Sequence, residues 1–223
     1  MTQSVTYAVD LVICIDGTGS MGHLIGQVKS SALKFYEDLE SVMAKRERKI
    51  DQLRARVIVF RDYWADSATL AMQCSEFFDM KTQSSDFANF VSKTTATGGG
   101  DEPENGLEAL ALALKSNWEK SQDFAKQRYV IVVYTDASAH GLEKPSKPDH
   151  YPQDIPKSLD ELTDLWADMP IPAKRLLLFA PDASPWTVMA SSWDNTVHYA
   201  SKAGDGLQEF EMDEILNAIA NSI

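Results

Sequence analysis

The sequence is poor in cysteine and in long apolar runs, and each shortage excludes a class of protein. Two cysteines, Cys14 and Cys74, are too few for a disulfide framework, and both lie in apolar segments, as small buried side chains do. We therefore expect a reducing, cytoplasmic setting. No apolar run approaches the roughly 20 residues of a membrane span, and residues 1–8 are largely polar. We expect neither a membrane anchor nor a signal peptide.

Basic residues are scarce relative to acidic ones. The 21 lysines and arginines stand against 33 aspartates and glutamates, which gives a net charge of −12. Such a chain repels phosphate, which disfavours nucleic acid and anionic membranes as partners, and it is compatible with a cation site. At 223 residues, 44% of them hydrophobic, the chain is long enough for one large α/β domain and short for two. We expect a single domain over residues 1–223.

Residues 10–22 join a buried strand to a glycine-rich turn and then to a helix. An uninterrupted apolar run ends at Asp16, and Thr18 and Ser20 follow at alternate positions. Apolar residues then recur every three or four positions over residues 24–43, which predicts one long amphipathic helix. A carboxylate and two hydroxyls at the carboxyl end of a strand occupy the place where open α/β sheets bind ligands.

Three chemistries are compatible with this turn. Its oxygen-bearing side chains suit a hard cation such as Mg²⁺. Gly17–Gly22 also matches the dinucleotide pattern G-x-G-x-x-G, but Asp16 would repel a pyrophosphate. The acid expected about 20 positions later is also missing, because Asp62 lies 40 residues beyond Gly22. The Asp-Gly-Thr triplet also occurs in phosphatases of the Asp-x-Asp-Gly-Thr type. Their nucleophilic aspartate would fall at Cys14, so the nucleophile is missing here. A nucleotide-binding enzyme that uses Gly17–Gly22 remains the alternative reading.

Two more polar turns lie further along the chain. Residues 97–104, Thr-Gly-Gly-Gly-Asp-Glu-Pro-Glu, lead into an apolar helix, and the strongly apolar strand 129–134 ends in Thr135-Asp136. If the strands that end at Asp16 and Asp136 are neighbours at the switch point of a doubly wound sheet, their carboxylates converge. A cation between them would offset their mutual repulsion.

Strands and helices alternate along the whole chain. Further strands are expected at residues 55–60, 70–78, 129–134, 175–179 and 196–199. The strand at 70–78 follows the one before it closely enough for an antiparallel hairpin at the sheet edge. This pattern predicts a Rossmann-like, doubly wound, mainly parallel six-stranded sheet with one short antiparallel edge strand and helices on both faces.

Together, the three polar turns resemble the metal-ion-dependent adhesion site of the von Willebrand factor type A (vWA) domain, in its Gly-Gly-Gly-Asp-x-Pro-Glu branch. The resemblance covers nearly the whole chain. The metal ligands that it implies are Asp16, Thr18, Ser20, Asp101 and Asp136. In the second loop Thr97 is the alternative to Asp101, which we prefer because a third carboxylate on Mg²⁺ is chemically easy.

The resemblance implies a binding module in which Mg²⁺ or Mn²⁺ is shared between the domain and an acidic side chain of a protein partner. Domains of this kind often work beside co-encoded kinases, phosphatases or ATPases, so we expect a cytosolic complex or signalling system. The sequence places no nucleophile beside a base, and we expect no enzymatic activity.

The loop at residues 138–157 leaves the sheet at the same edge as Asp136. Its side chains suited to gripping an acidic partner are Lys144, Lys147, Tyr151 and Lys157.

Overall fold

The computed structural model describes residues 5–100, 102–120 and 126–223, and in these the chain forms one seven-stranded sheet with helices on both faces. The strands are β1 (Val5–Asp16), β2 (Arg48–Phe60), β3 (Met72–Cys74), β4 (Phe78–Asp79), β5 (Lys126–Tyr134), β6 (Lys174–Pro181) and β7 (Thr196–Ser201). The helices are α1 (Gly22–Ser31), α2 (Phe35–Ala44), α3 (Ala68–Ala71), α4 (Ser84–Lys93), α5 (Gly106–Leu114), α6 (Leu159–Ala167), α7 (Trp186–Ser192) and α8 (Met212–Ser222).

The sheet has the strand order β3-β2-β1-β5-β6-β7, and β4 also pairs with β2. The long strands β1, β2, β5, β6 and β7 run parallel, whereas β3 and β4 are antiparallel to β2. The chain therefore winds outward from β1 in both directions, which confirms the expected doubly wound, mainly parallel architecture. Because β1 and β5 are direct neighbours, the strands that end near Asp16 and Asp136 meet as expected.

The segment at residues 70–78, expected to form a single edge strand, is divided into several short elements. The segment contains the end of α3, then β3, then β4. The hydroxyl of Ser75 accepts the amide of Val57 at 2.9 Å, a bond that replaces a strand-to-strand one and lets the chain loop out. It rejoins β2 only at Ala55 and Arg54, so the described sheet has seven strands instead of six.

The single helix expected over residues 24–43 is two helices, α1 and α2, separated by a turn. The hydroxyl of Ser30 donates to the Gln27 carbonyl at 2.8 Å and so competes with the helical backbone just before the break. The apolar spacing still holds across the turn, since Leu24 and Leu39 are both fully buried. The periodicity identified the buried face but not the break.

Apolar side chains fill both faces of the sheet. Leu11, Ile13 and Ile15 point into the core under α1, α2, α4 and α8, while Val12 and Cys14 point into the core under α5, α6 and α7. This burial on both faces explains why β1 reads as a continuous apolar run. Within the described residues, no helix combines the length and apolar character needed to cross a bilayer. The two cores fix the strand ends on which the polar turns stand.

Candidate metal centre

The carboxyl ends of β1 and β5 bring two buried aspartates to one edge of the sheet. Asp16 is fully buried and Asp136 is 2% exposed. Thr18 Oγ1 donates to Asp16 Oδ1 at 2.6 Å and lies 3.4 Å from Ser20 Oγ, which donates to Asp136 Oδ1 at 3.0 Å. Four of the five side chains expected at a metal ion therefore form one continuous polar cluster.

The turn after β1 is shaped by its own backbone. The amide of Thr18 donates to Asp16 Oδ1 at 2.9 Å, and the amide of Gly17 donates to the Phe60 carbonyl at 2.8 Å. A side chain at Gly17 would lie 2.7 Å from the guanidinium carbon of Arg61, so only glycine fits. These contacts hold both hydroxyls of the turn on the side that faces Asp136.

Asp16 is oriented through both of its oxygens. Besides the bonds from Thr18, its Oδ2 accepts a hydrogen bond of 2.7 Å from Thr135 Oγ1. Burial raises the pKa of Asp16 to about 6, the hydrogen bonds from Thr18 and Thr135 lower it, and the charge of Asp136 adds to the rise. A cation in the cleft would favour the ionised carboxylate. Thr135 was absent from the expected ligands, although it directly precedes Asp136.

A loop after β7 holds Asp136 from the far side. The amide of Gly206 donates to Asp136 Oδ2 and the amide of Gly204 donates to the Asp136 carbonyl, both at 2.8 Å. Gly206 has φ +64°, and a methyl group there would overlap the carbonyl of Ser20. The role of this loop could not be predicted from the sequence, because the contact spans 70 residues and only the Gly-x-Gly spacing indicates a turn.

Arg61, directly after β2, connects the first polar turn to the second. It is fully buried, and within the described residues its guanidinium donates to four backbone carbonyls. Nε donates to Gly17 at 3.0 Å and Thr97 at 2.6 Å, Nη1 to Leu70 at 2.7 Å, and Nη2 to Thr95 at 2.7 Å. This side chain therefore fixes the spacing between the two loops that border the cleft.

The second loop contributes backbone to the cleft wall. Gly98, Gly99 and Gly100 line it, while Thr97 is exposed and its amide donates to the Gly17 carbonyl at 3.0 Å. Asp101, the preferred fifth ligand, lies outside the described residues. The preference for Asp101 over Thr97 as the fifth ligand therefore stays a prediction.

Glu104 is a further carboxylate at this cleft, which has a volume of about 220 Å³. It is 5% exposed, and its buried Oε2 has no hydrogen-bond partner among the described residues. A methyl group at Gly99 would lie 2.7 Å from both Glu104 Oε1 and Thr18 Cγ2, so these two side chains flank the glycine. Burial first, and then the charge of Asp16, raises the pKa of Glu104 to about 8. The motif string contained Glu104, but the expected ligand set did not.

The donor set fits a hard divalent ion. Across residues 5–100, 102–120 and 126–223, no three His, Cys, Asp or Glu side chains are placed to hold a metal by themselves. An ion here would depend on the two aspartates, on the hydroxyls of Thr18 and Ser20, and on water. Mg²⁺ takes few protein carboxylates and keeps several waters, so the cleft suits it.

The loop at residues 138–157 differs from its expected role. Tyr151 is buried and donates to Glu108 Oε1 at 2.9 Å, and Lys144, with a side chain 6% exposed, forms an ion pair of 2.8 Å with the same oxygen. The expectation that these two side chains grip a partner was therefore wrong. Lys147 and Lys157 remain exposed. Glu108, the buried acid on α5 that holds this loop, is distant in sequence from Lys144 and Tyr151, and no local pattern indicates the pairing.

Comparison with known proteins identifies the family of this domain. The family model of the von Willebrand factor A domain matches residues 10–147, well over half of the chain. This chain belongs to the von Willebrand factor A domain family. The matched segment includes all three polar turns of the cleft, from Asp16 to Asp136.

Curated relatives contain a similar vWA segment within much longer chains. Alpha-protein kinase vwkA of Dictyostelium discoideum is 29% identical over 161 residues, which are 72% of this chain and 23% of the relative. The putative ariadne-like RING finger protein R811 of Acanthamoeba polyphaga mimivirus is 28% identical over 149 residues, 66% of this chain and 12% of the relative. This vWA domain therefore spans less than a quarter of the length of either relative.

Solved structures share the fold at low sequence identity. The pilus adhesin SpaC of Lactobacillus rhamnosus GG matches with a TM-score of 0.60 at 12% identity, over 98% of this chain and 31% of the adhesin. A von Willebrand factor type A structure from Catenulispora acidiphila matches with a TM-score of 0.52 at 13% identity, over 95% and 42% of the two chains. At such identities the likeness shows the vWA fold alone.

Proposed function

We propose that this vWA domain is a divalent-metal-dependent protein-binding module. The observation that carries the proposal is the polar cluster of Asp16, Thr18, Ser20 and Asp136 at an open cleft on the sheet edge. All of its donors are oxygens, and the hydroxyls are already turned towards the aspartates. Mg²⁺ or Mn²⁺ is the ion that such a set favours.

The open side of the cleft is where a partner enters. The second loop lines it with Gly98, Gly99 and Gly100, which have no side chains to block an approaching group. Mg²⁺ held by few protein ligands keeps exchangeable waters, and a carboxylate of the partner can replace one of them. We propose that the partner presents an acidic side chain to the ion.

The setting of the module is also a proposal. The names of the two curated relatives, an alpha-protein kinase and a RING finger protein, support a role beside signalling enzymes. We propose that this domain works inside the cell in a multi-protein complex, with a co-encoded kinase, phosphatase or ATPase as partner, and that it has no catalytic activity of its own.

The contacts of the first turn favour this reading over the nucleotide-binding alternative. A dinucleotide site needs free amides at the turn and at the helix N-terminus. Here the amides of Gly17 and Thr18 donate to Phe60 and to Asp16, and that carboxylate faces the space that a pyrophosphate would need. Equilibrium dialysis with Mg²⁺, NAD and ATP separates the two readings, and we expect binding of Mg²⁺ alone.

Affinity capture with the immobilised domain tests the proposal. A partner captured in Mg²⁺ should be lost in chelator and lost with Asp136→Ala, because both remove the ion. Asp182→Ala is the matched control, since Asp182 is an exposed aspartate that follows the neighbouring strand β6 and does not line the cleft. A partner that stays bound in chelator, or that Asp182→Ala releases equally, would contradict the proposal.

A further inference from the structure

We propose that Glu104 limits how tightly the metal cleft binds an acidic partner, by holding water on the open side of the ion instead of binding the ion itself. The inference rests on the proposed function of the cleft. It assigns to Glu104 a role distinct from that of the ligands Asp16, Thr18, Ser20 and Asp136.

The position of Glu104 is set by the fold. Its amide donates to the Ser138 carbonyl at 3.1 Å, and its carbonyl accepts the amide of His140 at 2.9 Å, so the residue forms a bridge with the chain after β5. The side chain is thereby held in the wall of the cleft, next to Thr18. The backbone of Glu104 is thus tied to the same segment that carries Asp136.

The carboxylate of Glu104 has an unused buried oxygen. Oε2 has no hydrogen-bond partner among the described residues although Glu104 is 5% exposed. A buried polar atom without a partner is destabilising, so in the working protein this oxygen is expected to accept a hydrogen bond from something in the cleft.

Water on the ion is the donor that fits. No three acidic, histidine or cysteine side chains within the described ranges converge closely enough to hold an ion. This arrangement favours Glu104 as an outer ligand that acts through water over a third direct ligand beside Asp16 and Asp136. The cleft of about 220 Å³ has room for an ion with several waters, each of which takes roughly 30 Å³. Such outer ligands orient the inner ones and tune the ion.

The charge of Glu104 has a consequence for the partner. A divalent ion in the cleft favours the ionised form of Glu104, as it does that of Asp16, so the loaded cleft carries this additional negative charge beside its open side. An incoming carboxylate is then repelled, whereas a neutral oxygen such as an amide or a hydroxyl is not. We infer that Glu104 keeps binding of acidic partners weak and reversible.

Glu102 offers a matched control. It lines the same cleft and carries the same charge, but it is exposed, and its Oε1 accepts the Ser138 amide at 3.3 Å. The change Glu102→Gln therefore removes one negative charge near the ion without touching the orphaned buried oxygen. Glu104→Gln removes the same charge and also weakens the acceptor.

The experiment compares the parent, Glu104→Gln and Glu102→Gln in two titrations. The first is calorimetry with Mn²⁺ alone, in which Glu104→Gln should bind roughly tenfold more weakly and Glu102→Gln should stay close to the parent. The second adds propionate, the carboxylate of a glutamate side chain, to the Mn²⁺-loaded proteins, and follows the loss of bound water by water-proton relaxation. Here Glu104→Gln should bind propionate roughly tenfold more tightly.

The outcomes separate the two claims. If both variants change propionate affinity equally, or if neither does, the assignment to Glu104 is wrong while the metal site stands. If Mn²⁺ binds the parent but Glu104→Gln leaves its affinity unchanged, the water-holding role is wrong. A parent that binds no Mn²⁺ overturns the proposed function together with this inference. Far-ultraviolet circular dichroism of each variant verifies that its fold is intact.

Discussion

Replacing Arg61 with methionine removes the connection between the two loops of the cleft while keeping much of the buried volume. The guanidinium donates to four carbonyls at 2.6–3.0 Å. Thr95 and Thr97 lie on an exposed loop whose carbonyls can turn to water, and the Gly17 carbonyl keeps the Thr97 amide. Only the Leu70 carbonyl then loses its partner, so we count the loss as one charge-assisted hydrogen bond, about 2 kcal/mol of unfolding free energy. Because domains are stable by roughly 5–15 kcal/mol, the variant should still fold at low temperature.

The same change should weaken metal binding, because the turn that carries Thr18 and Ser20 loses its fixed distance to the glycine loop. Losing a supporting residue behind metal ligands typically weakens affinity by about 10–100-fold, and we expect Arg61→Met to fall in that range. Urea unfolding followed by circular dichroism measures the stability, and calorimetry with Mn²⁺ measures the affinity.

Arg56→Met is the control. Arg56 lies on β2, is partly buried, and donates to the Ser75 carbonyl at 2.9 Å and to Ser116 Oγ at 2.7 Å, away from the cleft. It should lose stability and keep its Mn²⁺ affinity. If Arg61→Met loses stability but binds Mn²⁺ as tightly as the parent, then Arg61 supports only the fold and does not position the metal ligands.

Three further outcomes can be measured on the same protein. Lys144→Met leaves the buried carboxylate of Glu108 without its cation and should lower the unfolding free energy by about 3–5 kcal/mol. The added change Glu108→Gln should recover most of this loss. A loss below about 1 kcal/mol in urea unfolding would contradict the pairing. Gly206→Ala should weaken Mn²⁺ binding at least tenfold in calorimetry, because its methyl group would push the Ser20 carbonyl out of place. Gly204 is the control, because it has a similar φ of +69° but open space around it. Gly204→Ala should lose only about 1–3 kcal/mol of stability from backbone strain. Equal metal affinity in the two variants would argue against the overlap. The chelated parent protein should keep its far-ultraviolet helix signal. Metal at a hundredfold excess over the dissociation constant should add about 2.7 kcal/mol of stability. Loss of the helix signal on chelation would show that the fold needs the ion.

The doubly wound, mainly parallel sheet could be anticipated because its signals are local. The apolar runs that end in Asp16 and Asp136 mark strands buried on both faces, and the alternation of strands with helices permits few topologies. Their adjacency in the described sheet follows from the doubly wound arrangement. The two aspartates and the two hydroxyls of the first turn could therefore be placed together before any coordinates. Their binding of a metal stays a prediction.

The parts that could not be anticipated depend on partners distant in sequence. Nothing near Lys144 indicates that it pairs with Glu108 instead of facing solvent, because the acid lies on α5. Arg61 resembles any basic residue after a strand, yet its bonds reach Thr97, 36 residues away. Glu104 was visible in the motif string, but only the structure reveals its unpartnered oxygen. The local sequence pattern identifies the residues that lie at the end of a strand. It does not show which loop, distant in sequence, packs against them.

The most direct test of metal binding at this cleft is calorimetric titration of chelator-treated protein with Mg²⁺ and Mn²⁺, comparing the parent with Asp16→Ala. Asp16 accepts from both Thr18 and Thr135, so it anchors the whole donor set. We expect saturable binding of both ions to the parent and none to an Asp16→Ala variant that keeps its circular dichroism spectrum. A folded Asp16→Ala variant that binds metal as tightly as the parent would contradict this assignment, because the ion would then be held somewhere other than this cleft.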